Sequence, residues 1–139
     1  MCNADLFIKL KFAFTDRDIE MNQNGSISDD KEFQKAKAHI IVEIIEYVPH
    51  AVLSKTIIRK TTGNITVSSL DAGEELAEKI SPFDNYVQII DGTADLIIND
   101  KNYKLRLGEG IIIPAHAKHK FNANVQFKMI STIIKSGYD

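Results

Sequence analysis

The chain has 139 residues, a formal net charge of −2, and 44% hydrophobic and 26% charged residues. That suffices for one domain with its own core, and it removes any global electrostatic reason to bind nucleic acid or an anionic membrane. No apolar run reaches the roughly 18 residues that span a bilayer. The single cysteine, Cys2, excludes an internal disulfide, and the N-terminus is too broken by charge for a secretory segment, so a cytoplasmic protein is expected.

Residues 1–28 form a leader, read as a strand or a disordered segment. Leu6, Ile8, Leu10, Phe12 and Phe14 alternate with Lys9, Lys11 and Ala13, which suits a strand added to a sheet edge in this chain or in a partner. The other reading, which stands level with it, is a misassigned start, with translation beginning at Met21. Residues 20–32 place Asn22, Asn24, Gly25 and Ile27 at calcium-loop offsets. With Gly25 as the sixth position, the twelfth falls on Lys31, which cannot supply the bidentate carboxylate, so the segment reads as a polar linker.

Residues 29–139 are expected to form one barrel domain with an N-terminal helix over 29–46. Phe33, Ala36, Ile40, Ile41, Ile44 and Ile45 recur at helical spacing. Asp29 and Glu32 resemble a capping pair, and Pro49 ends the run. The apolar stripe should pack on the barrel or on a partner, because Glu43 and Glu46 interrupt it and the opposite face is charged.

From Val52 onward the pattern changes to short strands. Val52–Ile58, Ile65–Leu70, Tyr86–Ile90, Ala94–Ile98, Tyr103–Leu107, Ile111–Ile113 and Val125–Ile134 are the candidates. They are separated by Gly63-Asn64, Asp71-Ala72-Gly73, Asp91-Gly92, Asn99-Asp100 and Gly108-Glu109-Gly110, all turn residues that tolerate positive φ. Many short strands at close spacing argue for an all-β sandwich or barrel.

The segment 108–119, GEGIIIPAHAKH, carries the sharpest motif. It resembles the second signature of the cupins, G-x5-P-x-G-x2-H-x3-N. Gly108, Pro114 and His119 match, while His116 replaces the second glycine and Ala123 the asparagine. The first signature, H-x-H-x3/4-E-x6-G, counted back from Gly92, puts Asn85 at the glutamate. The histidine positions then fall on Lys79 and Ser81, or on Glu78 and Ile80 with the longer spacing. Gly73-Glu74, the Ser81-Pro82-Phe83-Asp84 turn and the Asp91-Gly92-Thr93-Ala94 hairpin resemble a branch of small single-domain cupins of the cupin-2 conserved-barrel type. The resemblance covers about residues 50–134. It implies a double-stranded β-helix, a jelly-roll-like barrel also described as RmlC-like, usually paired as a homodimer.

In metal-bearing members the ligands are the two histidines and glutamate of the first signature and the histidine of the second. Only His119 remains of the four, so no metal and no cofactor are expected. The candidate ligand-binding residues are Lys79, Ser81, Asn85 and His119. An inward Lys79 would put an ammonium where relatives hold a metal, suiting a carboxylate or phosphate, and a buried lysine would also suit Schiff-base chemistry. Against this stand a Lys79 that points to solvent from an edge strand and a His119 merely hydrogen-bonded to Asn85 or a hydroxyl. A site of His119 and His116 with Glu74 or Glu78 is the metal-binding alternative. No nucleotide loop and no Ser-His-Asp or Cys-His arrangement can be drawn from the spacing.

The resulting expectation is a metal-independent barrel that binds a small, perhaps anionic, molecule. The alternative is a metal-dependent or acid–base enzyme of oxygenase or isomerase type, built around His119. Neither nucleic acid nor membrane is expected as a partner.

Overall fold

The computed structural model describes residues 19–21, 26–29 and 31–138. Eleven strands and one helical turn follow in chain order: β1 (Ile19–Met21), β2 (Ser26–Asp29), α1 (Ile41–Ile44), β3 (Val52–Lys60), β4 (Gly63–Leu70), β5 (Glu75–Ile80), β6 (Asp84–Gly92), β7 (Ala94–Ile98), β8 (Lys101–Leu105), β9 (Gly110–Ile113), β10 (Lys118–Asn122) and β11 (Phe127–Ile134). They form a seven-stranded sheet, β1-β2-β3-β4-β11-β6-β9, and a four-stranded sheet, β5-β10-β7-β8. Every pairing is antiparallel except β2 with β3. The all-β double-sheet barrel expected from the sequence is therefore present.

The two sheets close on an apolar core. Val52, Leu70, Val87, Ile89, Ala94, Leu96, Leu105, Ile113, Phe121 and Phe127 are buried between them. Ala94, Leu96 and Ile98 supply one face of β7 by alternation. Asn99 and Asp100 both take positive φ, 47° and 69°, which closes the β7–β8 hairpin in the sense that matches strand twist.

A second cluster lies on the outer face of the large sheet. Ile45, Val48, Ala51, Leu53 and Val67 are buried there, with Phe33, Ile41, Ile57, Ile90 and Ile130 against them. The stripe at 29–46 does cover the barrel, but of the expected helix only the turn Ile41–Ile44 forms. Residue 29 ends β2, and Ala36 takes φ 57°. A backbone bond that a helix would make internally goes to β3 instead, the Phe33 N–H donating to the Ile57 carbonyl at 3.0 Å, and beside it the Glu32 side-chain carboxylate accepts from the Arg59 N–H of β3 at 2.7 Å. The single turn is held by lysines from the sheet beneath it. Lys128 Nζ donates to the Val42 carbonyl at 2.6 Å and Lys55 Nζ to that of Ile44 at 3.0 Å, placing cations at the negative end of the turn.

Of the 1–28 leader, the structure describes β1 and part of β2. The alternating stretch from Leu6 to Phe14, Cys2 and residues 22–25 and 30 of the rejected calcium loop lie outside the described residues. No helix among the described residues is long and apolar enough to cross a membrane.

Candidate functional site

Four strands change character along their length. On the inner face β3 runs from Val52 to Ser54 and Thr56, and β4 from Leu70 to Ser68, Thr66 and Asn64. In the same sense β6 runs from Ile89 and Val87 to Asn85, and β11 from Phe127 and Met129 to Ser131. Register aligns the polar halves, because Ser54 faces Ser68 and Thr66 faces Ser131 across their ladders. The barrel therefore has an apolar end and a polar end. The polar end opens into a cavity of about 370 Å³, completed by Leu76, Lys79, Ser81, His119, Phe121 and Ile133.

All four residues singled out from the sequence line this one cavity: Lys79, Ser81, Asn85 and His119. Lys79 lies on β5, the edge strand of the small sheet, and is exposed overall while lining the cavity. It stands opposite His119 on β10. Its exposure removes the premise of a desolvated Schiff-base lysine. Ser81 follows β5 and its Oγ accepts from the Phe83 N–H at 3.2 Å, which fixes the turn into β6. Asn85 is buried, and its Oδ1 accepts from Ser131 Oγ at 2.6 Å.

His119 is 3% exposed. Its Nδ1 donates to the Ala117 carbonyl at 3.2 Å. A carbonyl only accepts, so this bond puts the proton of a neutral ring on Nδ1 and leaves Nε2 as an acceptor. Burial lowers the ring's pKa, the Ala117 bond opposes that, and the nearby Lys79 charge lowers it further. Each cause is physical: burial and a like charge both penalise the imidazolium, whereas a carbonyl acceptor favours it. The histidine is thus satisfied by backbone, and not by the Asn85 or hydroxyl partner considered from the sequence.

The donor set does not fit a transition metal. Such an ion needs three or more converging imidazole, thiolate or carboxylate donors, and the cavity offers one imidazole beside an ammonium, hydroxyls and amides. Among the described residues no group of three or more His, Cys, Asp or Glu is placed to hold a metal ion. The alternative set around His116 is not assembled. His116 sits exposed in the Pro114–Ala117 turn at φ 68°, the conformation of the glycine it replaces, with its N–H bonded to the Ser81 carbonyl. Glu74 precedes β5 at the end remote from His119, where its carbonyl accepts from Ala123 N–H. Glu78 neighbours Lys79 on the strand, and successive side chains point to opposite faces. The His39 ring packs tilted against Phe33 and the His50 backbone N–H donates to the Asp71 carboxylate, and neither histidine lines the cavity.

Reading from the sequence missed the hydroxyl wall of Ser54, Thr66, Ser68 and Ser131. Its signal was present in β4, where Asn64, Thr66 and Ser68 alternate with Ile65 and Val67. Alternation alone would send the polar set to water. The apolar stripe over 29–46 reverses this, because it needs an apolar outer sheet face and takes Val67 and Leu53 for it.

No family model matches the chain. Protein SchB of Streptomyces halstedii is 29% identical over 72 residues, which is 51% of this chain and 52% of that protein; the chain spans about half the length of this curated relative. Among solved structures, a conserved protein of unknown function from Streptococcus pyogenes superposes with a TM-score of 0.73 at 29% identity, covering 78% of this chain and 95% of that one. A cupin-superfamily protein from Desulfitobacterium hafniense gives 0.68 at 23% identity, over 76% and 95%. A cupin 2 conserved barrel domain protein from Leptotrichia buccalis gives 0.66 at 28% identity, over 68% of this chain and 46% of that one.

Proposed function

The chain is a small cupin-type domain, and on that premise we propose that its cavity binds a small anionic molecule without a transition metal. One observation carries this reading: among the described residues lining the cavity, Lys79 is the one formal charge besides a neutral His119, and none is a carboxylate. An anion entering the polar end meets an ammonium and no repulsion. A cation meets the reverse.

The test is calorimetric titration of small carboxylates and phosphates into the wild type and a Lys79→Met variant. Loss of a charge-assisted contact should weaken binding by about tenfold to a hundredfold. Anions that bind the two proteins equally well, or a stoichiometric metal that is lost in His119→Ala, would overturn the reading.

The acid–base alternative rests on the same His119. A neutral imidazole with Nε2 as acceptor has the protonation state of a general base. Turnover of any bound anion that disappears in His119→Gln while binding persists would favour the enzyme over the binding protein.

A further inference from the structure

Besides Lys79 and His119, the polar end of the barrel holds hydroxyls where the chain has every means of placing hydrocarbon. The same four strands fill their other halves with Val52, Leu70, Ile89 and Phe127. Ser68 and Ser131 are 4% and 8% exposed. Burying a hydroxyl costs about 1–3 kcal/mol unless it is hydrogen-bonded, and a well-packed apolar side chain would avoid that cost. Their bonds, Ser68 with Ser54 and Ser131 with Asn85, offset that cost, but these positions forgo the apolar burial that the other halves of the same strands have, so the hydroxyls ask for a reason outside stability.

Their arrangement supplies one. Ser54 faces Ser68, Thr66 faces Ser131, and Thr66 and Ser68 are two residues apart on β4. Cross-strand and along-strand spacings make this a patch of roughly 5 by 7 Å, the footprint of a sugar ring or an open chain of similar length. The internal bonds leave both kinds of valence open. Ser131 donates to Asn85 and keeps lone pairs to accept. Ser54 and Ser68 share one hydrogen bond of 2.8 Å, so one of their two protons is left to donate. Ser81 accepts from Phe83 and keeps its proton. His119 Nε2 is an acceptor. A wall that both donates and accepts matches groups that do both, which means hydroxyls. A bare hydrocarbon anion would leave these acceptors unpaired in a confined space. Leu76, Phe121, Met129 and Ile133 supply apolar surface for the C–H faces of the same molecule.

The charge is set for a carboxylate. The cavity offers one ammonium, and neither an arginine nor a glycine backbone cradle is among the residues lining it; phosphate recognition draws on those devices.

We propose that the ligand is a polyhydroxylated carboxylate of the sugar-acid type, its carboxylate on Lys79 and its hydroxyls on the wall formed by Ser54, Thr66, Ser68 and Ser131. This rests on the reading of the cavity as an anion site and narrows it to a chemical class.

The experiment titrates gluconate, glucuronate, hexanoate and neutral sorbitol into the full chain as wild type, Thr66→Val, Ser131→Ala and Lys79→Met. A sugar acid should bind tighter than hexanoate by about tenfold or more. Thr66→Val and Ser131→Ala should erase that margin without weakening hexanoate. Thr66→Val should hold its melting temperature, since it only replaces a half-buried hydroxyl with a methyl, whereas Ser131→Ala leaves the buried Asn85 Oδ1 without its donor and should melt lower. A falling melting temperature is controlled by Thr66→Ser, which keeps the hydroxyl and should keep the margin. Hexanoate binding as tightly as the sugar acids, with dependence on Lys79, overturns the sugar-acid class and leaves the anion site standing. Sorbitol matching gluconate regardless of Lys79 overturns the anion site and leaves the hydroxyl wall. Binding of none of the four overturns the class.

Discussion

Lys79 and His119 stand directly opposite each other in the β5–β10 pair. Burial lowers the imidazole's pKa, the Ala117 carbonyl pulls the other way, and the lysine's charge adds to burial. The cavity thereby holds one positive group and one neutral acceptor side by side, where two cations would otherwise repel.

This arrangement makes the fold sensitive to acid. The folded ring takes up a proton less readily than the unfolded one, so its contribution to stability is complete above the ordinary imidazole value of about 6.5. That contribution is lost as pH falls through the lowered folded value. Thermal unfolding followed by circular dichroism should show the midpoint dropping on acidification through this window, and His119→Gln should flatten the dependence. In a histidine-selective NMR titration, Lys79→Met should move the His119 midpoint upward. An unmoved midpoint would mean that the lysine's charge does not reach the ring.

Gly92 is required where Gly73 is only favoured. Gly92 has φ +73°, and a Cβ there would run into the Gln126 carbonyl oxygen and lie 2.9 Å from Phe127 Cα. Gly73 has φ +89° with nothing within 4 Å of a Cβ. Gly92→Ala therefore combines backbone strain with a clash against β11 and should cost about 3–5 kcal/mol. Gly73→Ala carries the strain alone, about 1–2 kcal/mol. Equal costs in urea unfolding would contradict the close approach at the Asp91-Gly92 hairpin.

The N-terminal segment separates two isoleucines that a helical stripe would treat alike. Ile45 is 1% exposed in the outer cluster, and Ile40 is 63% exposed. Ile45→Ala should cost about 2–5 kcal/mol, and Ile40→Ala should stay within about 0.5 kcal/mol. Chemical denaturation of both variants checks this; comparable losses would restore the long helix.

That contrast shows what the residues made legible. β7 was readable because Ala94, Leu96 and Ile98 fall on one face, and the Asn99-Asp100 turn because both residues tolerate positive φ. The positions of Lys79, Ser81, Asn85 and His119 around one cavity followed from motif spacing, because spacing survives when donors are replaced. β5 was reached only through the resemblance, which put Lys79 on an edge strand, and not through alternation, because Leu76 is the one strongly apolar inward residue of a strand that is otherwise exposed. β10 was missed because its inward residues include His119, while Lys118 and Lys120 read as loop. The helix was overextended because periodicity records which residues share a face and not where the backbone bonds go; at Phe33 the N–H goes to β3, and the Glu32 side chain accepts from β3 beside it.

The homodimer expected from the sequence can be tested at one sheet edge. Tyr86 and Ile112 are cross-strand partners at the β6–β9 edge of the large sheet, 42% and 62% exposed. β9 ends that sheet, and no strand among the described residues pairs with its far side. An open edge beside exposed apolar side chains is a standing invitation to pair with another strand. A second copy supplies the same strand and the same pair around a twofold axis, the commonest oligomeric symmetry. We therefore propose an isologous dimer through β9. Sedimentation equilibrium at micromolar concentration should give twice the chain mass for the wild type and the chain mass for Ile112→Lys. The variant's melting temperature should lose its dependence on protein concentration, because mass action no longer stabilises it. A wild type that sediments as a monomer, or an Ile112→Lys chain that still sediments as a dimer, would place any association elsewhere on the barrel.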